Sequence, residues 1–133
     1  MALRVPIAVL AVVLLAPAAS AQSSTPRGEI LRQVTLFKQA RWRAMYTTYT
    51  PRFRRSCSYA RFVRVQRRTR ELLGTNFQLR GIRVRMETAR RAIIAYEFVR
   101  GGQTIARVTF SNRDVYARIG SGWYDDLDRV SAC

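Results

Sequence analysis

The apolar residues of this chain change period at Gly74, from the spacing of a helix to that of a strand, and this limits the fold to helices followed by sheet. Before Gly74, Ile30, Leu31, Val34, Phe37, Trp42, Met45 and Tyr49 recur at helical intervals with one five-residue step, from Phe37 to Trp42. Arg32, Lys38, Gln39, Arg41 and Arg43 fall elsewhere, which predicts a long amphipathic helix of about 20 residues starting at Gly28. Thr50-Pro51 ends it and opens a second helical piece, with Thr50 as N-cap, Pro51 at the first helical position, and Phe53 and Cys57 four apart. A third piece is expected from Tyr59 to Leu73, with Phe62, Val65, Leu72 and Leu73 on its apolar side and Gly74 as its stop.

Beyond Gly74, Ile82, Val84 and Met86 alternate with Arg83 and Arg85, and Ala92, Ile94, Tyr96 and Phe98 alternate with Ile93, Ala95, Glu97 and Val99. Gly101-Gly102 reads as a hairpin turn into the Ala106, Val108, Phe110 alternation. Val115, Ala117 and Ile119 follow, then a second turn, Gly120-Ser121-Gly122, then Trp123-Tyr124 and the acids Asp125, Asp126 and Asp128, read as a solvated end. The expectation is an α+β domain over residues 28–133, with three N-terminal helical segments packed on a curved antiparallel sheet of four to five strands. There is no internal repeat and no second domain.

The first 21 residues are read apart from the fold. Arg4 and the amino terminus form a short positive region, Val5 to Ala16 is apolar, and Ala19-Ser20-Ala21 gives a small-x-small cleavage pattern before Gln22. The apolar run is shorter than the roughly 18–20 residues a spanning helix needs, so the segment reads as a secretory signal and the product as secreted, periplasmic or otherwise extracytoplasmic. Residues 22–27 read as a short disordered leader. In an oxidising compartment Cys57 and Cys133 become a disulfide candidate closing a loop of about 76 residues. A buried Cys57 acting as a small hydrophobe, with Cys133 free or joining two chains, stays open beside it.

The chain has 24 Lys+Arg, 8 Asp+Glu and no histidine, for a formal charge of +16. The missing histidine excludes a Ser-His-Asp triad, a histidine base and histidine-ligated zinc, and two cysteines make no zinc cluster, so neither metal nor cofactor is expected. Lys38 is the sole lysine, a bias that fits a GC-rich coding sequence.

The order of elements and three local features resemble the nuclear-transport-factor-2-like superfamily, known also through its ketosteroid isomerase and polyketide cyclase branches. The features are the aromatic helix end Trp42, Met45, Tyr46; the pair Ile82-Arg83-Val84 and Ala92-Ile93-Ile94-Ala95-Tyr96; and the closing Asp114-Val115-Tyr116-Ala117-Arg118-Ile119, Gly120-Ser121-Gly122, Trp123-Tyr124-Asp125. The resemblance implies a cone in which helices cap a strongly bent sheet around an apolar pocket, and the modest length of the chain implies a shallower sheet or fewer edge strands. In enzymatic members that pocket holds aspartate with tyrosine, or aspartates with arginine, and needs no histidine.

Candidate site residues follow from chemistry. A carboxylate in an apolar cavity becomes a proton carrier, and among the acids Asp114 and Glu97 are the weak catalytic candidates, Asp114 because it opens a strand on the same side as Tyr116. Trp42, Tyr46, Tyr96, Tyr116 and Trp123 either line a pocket for a small apolar ligand or fill the core. Eight arginines and no acid lie between Arg52 and Arg70; Arg61, Arg64 and Arg68 share a helical stripe with Arg67 beside it, and Arg83 and Arg85 share a sheet face. Such a surface attracts an anionic polymer or membrane, or is a solvated face set by codon bias; no recognition motif supports specific nucleic-acid binding. A homodimer is compatible with the resemblance. Three readings follow: a secreted, non-catalytic binding or accessory module with a basic surface; a small isomerase, dehydratase or cyclase using carboxylate and tyrosine; and an electrostatic binder of anionic envelope polymers or lipids. Exported from a bacterial host, the mature chain is expected to begin at Gln22, read as an intact mass; a chain retaining Met1 would refute the signal reading.

Overall fold

The computed structural model describes residues 22–127 and 133. The segment 1–21, read as a signal, and Asp128 lie outside the described residues. Helix α1 (Pro26–Lys38) begins where side-chain chemistry favours it: Thr25 accepts from the Gly28 amide at 3.0 Å, Pro26 stands in the first turn and Glu29 follows. The long helix expected through Tyr49 is broken, and α2 (Trp42–Tyr46) is a separate short helix. Ala40 takes φ 54°, its amide reaches the Phe37 carbonyl at 3.0 Å, and the Arg41 amide reaches that of Leu36 at 2.9 Å. This is the left-handed closure that usually uses glycine. It falls inside the five-residue step from Phe37 to Trp42.

Helix α3 (Pro51–Ser56) and helix α4 (Tyr59–Leu73) are capped by Thr50 and Ser58, whose hydroxyls accept from the Phe53 and Arg61 amides, each at 3.3 Å. Gly74, at φ 71°, ends α4. Phe62 is fully buried but Leu72 is 79% exposed, so of the two adjacent leucines read as apolar-side only Leu73 turns inward. One helical step rotates a side chain by about 100°, which here carries Leu72 past the edge of the buried stripe.

The strands are β1 (Gln78–Thr88), β2 (Arg91–Arg100), β3 (Gln103–Val108), β4 (Asp114–Ile119) and β5 (Gly122–Asp125), all antiparallel. β1 runs along one edge of β2. The other edge is shared, with β4 on Arg91–Ile94 and β3 on Tyr96–Arg100. The sheet is open and not strongly curled, so the strongly bent cone is corrected to the shallower arrangement. Twist accumulates over strand length and number, and β4 and β5 span only six and four residues.

Pairing fixes the faces. Ala92, Ile94 and Tyr96 point toward the helices, in line with Asp114 and Tyr116 on β4, and with Trp123 and Asp125 on β5. Ile30 of α1 packs on Ala92, Ile94, Tyr116 and Trp123, while Phe37, Met45, Tyr49, Phe53, Phe62 and Phe77 form a second cluster between the helices and the start of the sheet. The apolar alternation of β1 is buried only in part: Ile82 is half-buried, but Val84 and Met86 are 39% and 50% exposed, because β1 is an edge strand running past the helical layer.

The free edge of β5 is covered. The Asp125 amide donates to the Thr48 carbonyl and the Thr50 amide to the Asp125 carbonyl, both at 2.9 Å. Of the leader read as disordered over residues 22–27, residues 26 and 27 open α1 and residues 22–25 lie against the same region: the Trp123 amide donates to the Ser23 carbonyl at 3.1 Å, and the Gln22 side chain donates to the Thr47 carbonyl at 2.9 Å. An edge amide with no strand neighbour takes the nearest carbonyl, and that orders the leader.

Cys57, at the end of α3, is bonded to Cys133, with Cα atoms 5.8 Å apart and a sequence separation of 76. Closing a loop of that size removes chain entropy from the unfolded state worth about 4 kcal/mol. The double variant Cys57→Ser/Cys133→Ser is therefore expected to lose about 4 kcal/mol in urea titration. A loss below about 1 kcal/mol would show that the bridge constrains little.

Candidate functional site

Between the helices and the inner face of the sheet lies a cavity of about 410 Å³. Its two ends differ in chemistry. Phe37 of α1, Leu73 of α4, Phe77, Leu79 of β1 and Phe98 of β2 make an apolar end, and Ile30, Val34 and Met45 continue it. The opposite wall carries Gln33, Tyr49, Tyr96, Asp114, Tyr116 and Asp125, while Gln66, Thr69, Asn112 and Arg113 contribute further polar lining, Thr69, Asn112 and Arg113 from exposed positions. Strand alternation places these groups together: Asp114 and Tyr116 are two apart on β4, and Asp125 is the register partner of Tyr116.

A hydrogen-bonded chain organises the polar wall. The Tyr116 hydroxyl donates to Oε1 of Gln33 at 2.6 Å, and Nε2 of Gln33 donates to the Thr48 hydroxyl at 2.8 Å and to Oδ2 of Asp125 at 3.2 Å. The Thr48 hydroxyl passes its own hydrogen to the Met45 carbonyl at 2.6 Å. Both amide hydrogens of Gln33 and its oxygen are thereby engaged, which fixes the amide's orientation. On the neighbouring strand the Tyr96 hydroxyl donates to Oδ2 of Asp114 at 2.8 Å. Oδ1 of Asp125, itself only 6% exposed, has no hydrogen-bond partner.

Of the described acids other than Asp114 and Asp125, Glu71 is exposed on α4, and four are paired with arginine. Glu29 lies 3.2 Å from Arg32, Asp126 3.0 Å from Arg52, Glu97 2.9 and 2.8 Å from Arg80 and Arg107, and Glu87 2.9 and 3.1 Å from Arg91 and Arg113. Among the described residues no arginine or lysine lies within ion-pair distance of Asp114 or Asp125. Burial pushes the Asp114 carboxyl up to about 6, against the pull of the Tyr96 hydroxyl. Burial, and next the charge of Asp114, hold Asp125 well above the usual carboxylate range, while Gln33 and the Leu127 amide act in the other direction. The same desolvation raises the hydroxyls of Tyr49, Tyr96 and Tyr116 well above their ordinary value. Such a wall can hold a proton near neutral pH and present it, or its absence, to whatever enters.

The candidates read from sequence separate accordingly. Tyr96, Tyr116 and Asp114 are brought together in the cavity. Glu97 is not: it points to the opposite face of β2, lines a separate cleft of about 380 Å³, and its arginine and threonine partners hold its carboxyl below the usual range. Trp42 packs edge-on to Phe37 with centroids 5.9 Å apart, and Trp123 lies under Ile30 in the core. The Tyr46 hydroxyl is turned to the carbonyls of Arg54 and Cys57 at 3.0 and 2.5 Å. Arg61, Arg64, Arg67 and Arg68 are exposed on α4, with Arg61 donating to the Cys133 carbonyl at 3.0 Å, and Arg83 and Arg85 lie over the Phe110 ring at 5.3 and 4.6 Å. Among the described residues no group of acids and cysteines is placed to hold a metal ion, and no helix is long and apolar enough to cross a membrane.

Sequence reading missed Gln33, Tyr49 and Asp125. Each carried a signal: Gln33 falls three after Ile30 and four before Phe37, on the apolar stripe, and Asp125 falls two after Trp123, on its side of a strand. The solvated acidic end is corrected at Asp125, which the Thr48–Thr50 segment covers. A scan against models of known families, a search of curated proteins and a search of solved structures each find no match to this chain.

The protonation of Asp114 has a consequence for stability. Its carboxyl is raised from 3.8 to about 6 on folding. The folded chain therefore holds an extra proton between these values, and stability falls as pH rises through that window, by about 3 kcal/mol for this group. Asp114→Asn, which keeps an acceptor for Tyr96 and removes the charge, is expected to raise the melting temperature at neutral pH and to leave it nearly unchanged near pH 4. A variant destabilised equally at both pH values would overturn this account.

Proposed function

We propose that this chain is an extracytoplasmic binding protein of nuclear-transport-factor-2-like type, whose cavity takes a small, largely apolar ligand carrying one polar group. The observation that carries the reading is the cavity of about 410 Å³ with one apolar end and one wall of buried carboxyls and hydroxyls. That volume lies within the roughly 300–1,000 Å³ of small-molecule sites. The apolar end supplies desolvation energy, and the polar wall sets orientation. Support for the family comes from the order of helices before an antiparallel sheet, with the cavity between the two layers. Support for the compartment comes from the Cys57–Cys133 bridge, which suits an oxidising environment.

A second reading, a small isomerase or dehydratase, is favoured by one observation: Asp114 sits in the cavity wall with a carboxyl raised to about 6 and a tyrosine hydroxyl 2.8 Å away. A carboxyl in that range can accept a proton from a carbon acid and return it, while a buried tyrosine donates to the developing oxyanion. Binding and proton transfer use the same cavity.

Native mass spectrometry of the chain from a bacterial host is expected to show a small molecule that leaves on denaturation. Thr69→Trp tests the cavity itself, because Thr69 lines it from an exposed position of α4. The bulkier ring is expected to abolish retention with stability changed by no more than about 0.5 kcal/mol. A ligand retained equally by Thr69→Trp would place the binding elsewhere.

A further inference from the structure

We infer that the ligand of this cavity is a small hydrophobic cation, a protonated amine on an apolar or aromatic body, held by Asp114 and Asp125 together. The inference rests on the pocket reading above and narrows it to one class of ligand.

Three observations lead there. Asp125 lines the cavity, is 6% exposed, and leaves Oδ1 without a partner. A buried carboxyl oxygen without a partner is costly, and a group entering the cavity could meet it. The neighbouring donors also act within the wall: Tyr116 gives its hydrogen to Gln33, Gln33 to Thr48 and Asp125, and Tyr96 to Asp114. Two of these bonds, from Gln33 to Asp125 and from Tyr96 to Asp114, end on Oδ2 of an acid, which leaves Oδ1 of each as an acceptor for a donor that arrives from outside.

The second observation is the distribution of charge. In a chain with 24 cationic and 8 acidic residues, two acids face a cavity with no arginine or lysine at ion-pair distance among the described residues. The cation on the lining, Arg113, is directed to Glu87 at 3.1 Å. An ammonium group between Asp114 and Asp125 would supply the positive charge that the protein withholds, and both carboxyls would ionise around it. The third is the aromatic lining, in which Phe37, Tyr49, Phe77, Tyr96, Phe98 and Tyr116 all contribute. Ring faces attract a desolvated cation and accommodate its apolar body. An anionic ligand meets the opposite conditions, two acids and no free guanidinium. The overall positive charge of the protein acts mainly beyond about 8 Å and is screened at physiological salt, whereas contacts inside the cavity are screened far less.

The test uses three compounds of one shape on the full mature chain: phenethylamine, phenethyl alcohol and phenylacetate, titrated at neutral pH and followed by amide chemical shifts and calorimetry. The amine is expected to bind at least about tenfold more tightly than the alcohol, the difference between a charge-assisted and a neutral hydrogen bond, and phenylacetate more weakly than either. Asp125→Asn and Asp114→Asn are each expected to bring the amine down to the affinity of the alcohol, with unchanged amide spectra away from the cavity. Binding of the alcohol or phenylacetate as tight as that of the amine overturns the cation assignment and leaves the pocket reading in place. Selectivity for the amine that survives both substitutions also overturns the assignment. Absence of shifts with all three compounds at millimolar concentration overturns the pocket reading, and the cation assignment with it.

Discussion

The buried amide of Gln33 joins the two layers of this protein, and the geometry of the cavity depends on it. From α1 it holds Tyr116 on β4, Asp125 on β5 and Thr48 in the linker beyond α2, three groups exposed by 6% or less. In a low-dielectric interior each of these groups would carry a desolvation penalty if left unpaired, so the helices cannot slide over the sheet without breaking several bonds at once. Apolar contacts between Ile30 and Trp123 or Ala92 bring the layers together but tolerate small shifts. The amide sets the register, and with it the positions of Asp125 and Tyr116 in the wall.

Around that joint, charge is distributed unevenly. Arginine partners are within reach of Glu29, Glu87, Glu97 and Asp126, an outcome expected where cations outnumber acids threefold. Asp114 and Asp125 lie on the inner face with Ile94, Ala92 and Trp123, and there their burial costs stability when they ionise. Two raised carboxyls with neutral hydrogen-bond donors and, among the described residues, no arginine or lysine beside them, collected at a cavity, mark a site more strongly than any motif in this chain.

The helix-to-sheet order, the caps at Thr50 and Gly74, a sheet of four to five strands and Cys57–Cys133 as a candidate pair were legible because each depends on local chemistry or simple spacing. The break at Ala40 was legible only as an interrupted interval, since the left-handed turn uses alanine and gives no glycine signal. Burial at the edges was not legible. Leu72 and Met86 read as core but are exposed, because period alone does not say where the covering layer ends. Asp125 erred in the opposite sense: an acid beside other acids reads as surface until a covering segment is found, and that segment, Thr48–Thr50, lies more than 70 residues earlier. Long-range pairing decided the site, and long-range pairing is what a single sequence encodes least directly.

The disulfide and the cavity are linked through the end of the chain. Leu127 lines the cavity two residues after Asp125 and packs with Cys133 on the cluster that contains Cys57, so the bridge anchors the segment carrying part of the wall. The Thr50 hydroxyl adds a second anchor, donating to Asp126 at 2.8 Å, with Arg52 on the same carboxylate. Asp126 is held on one side of Leu127 and Leu127 itself packs on the Cys57 cluster, and water admitted beside Asp125 would lower the carboxyl that burial raises.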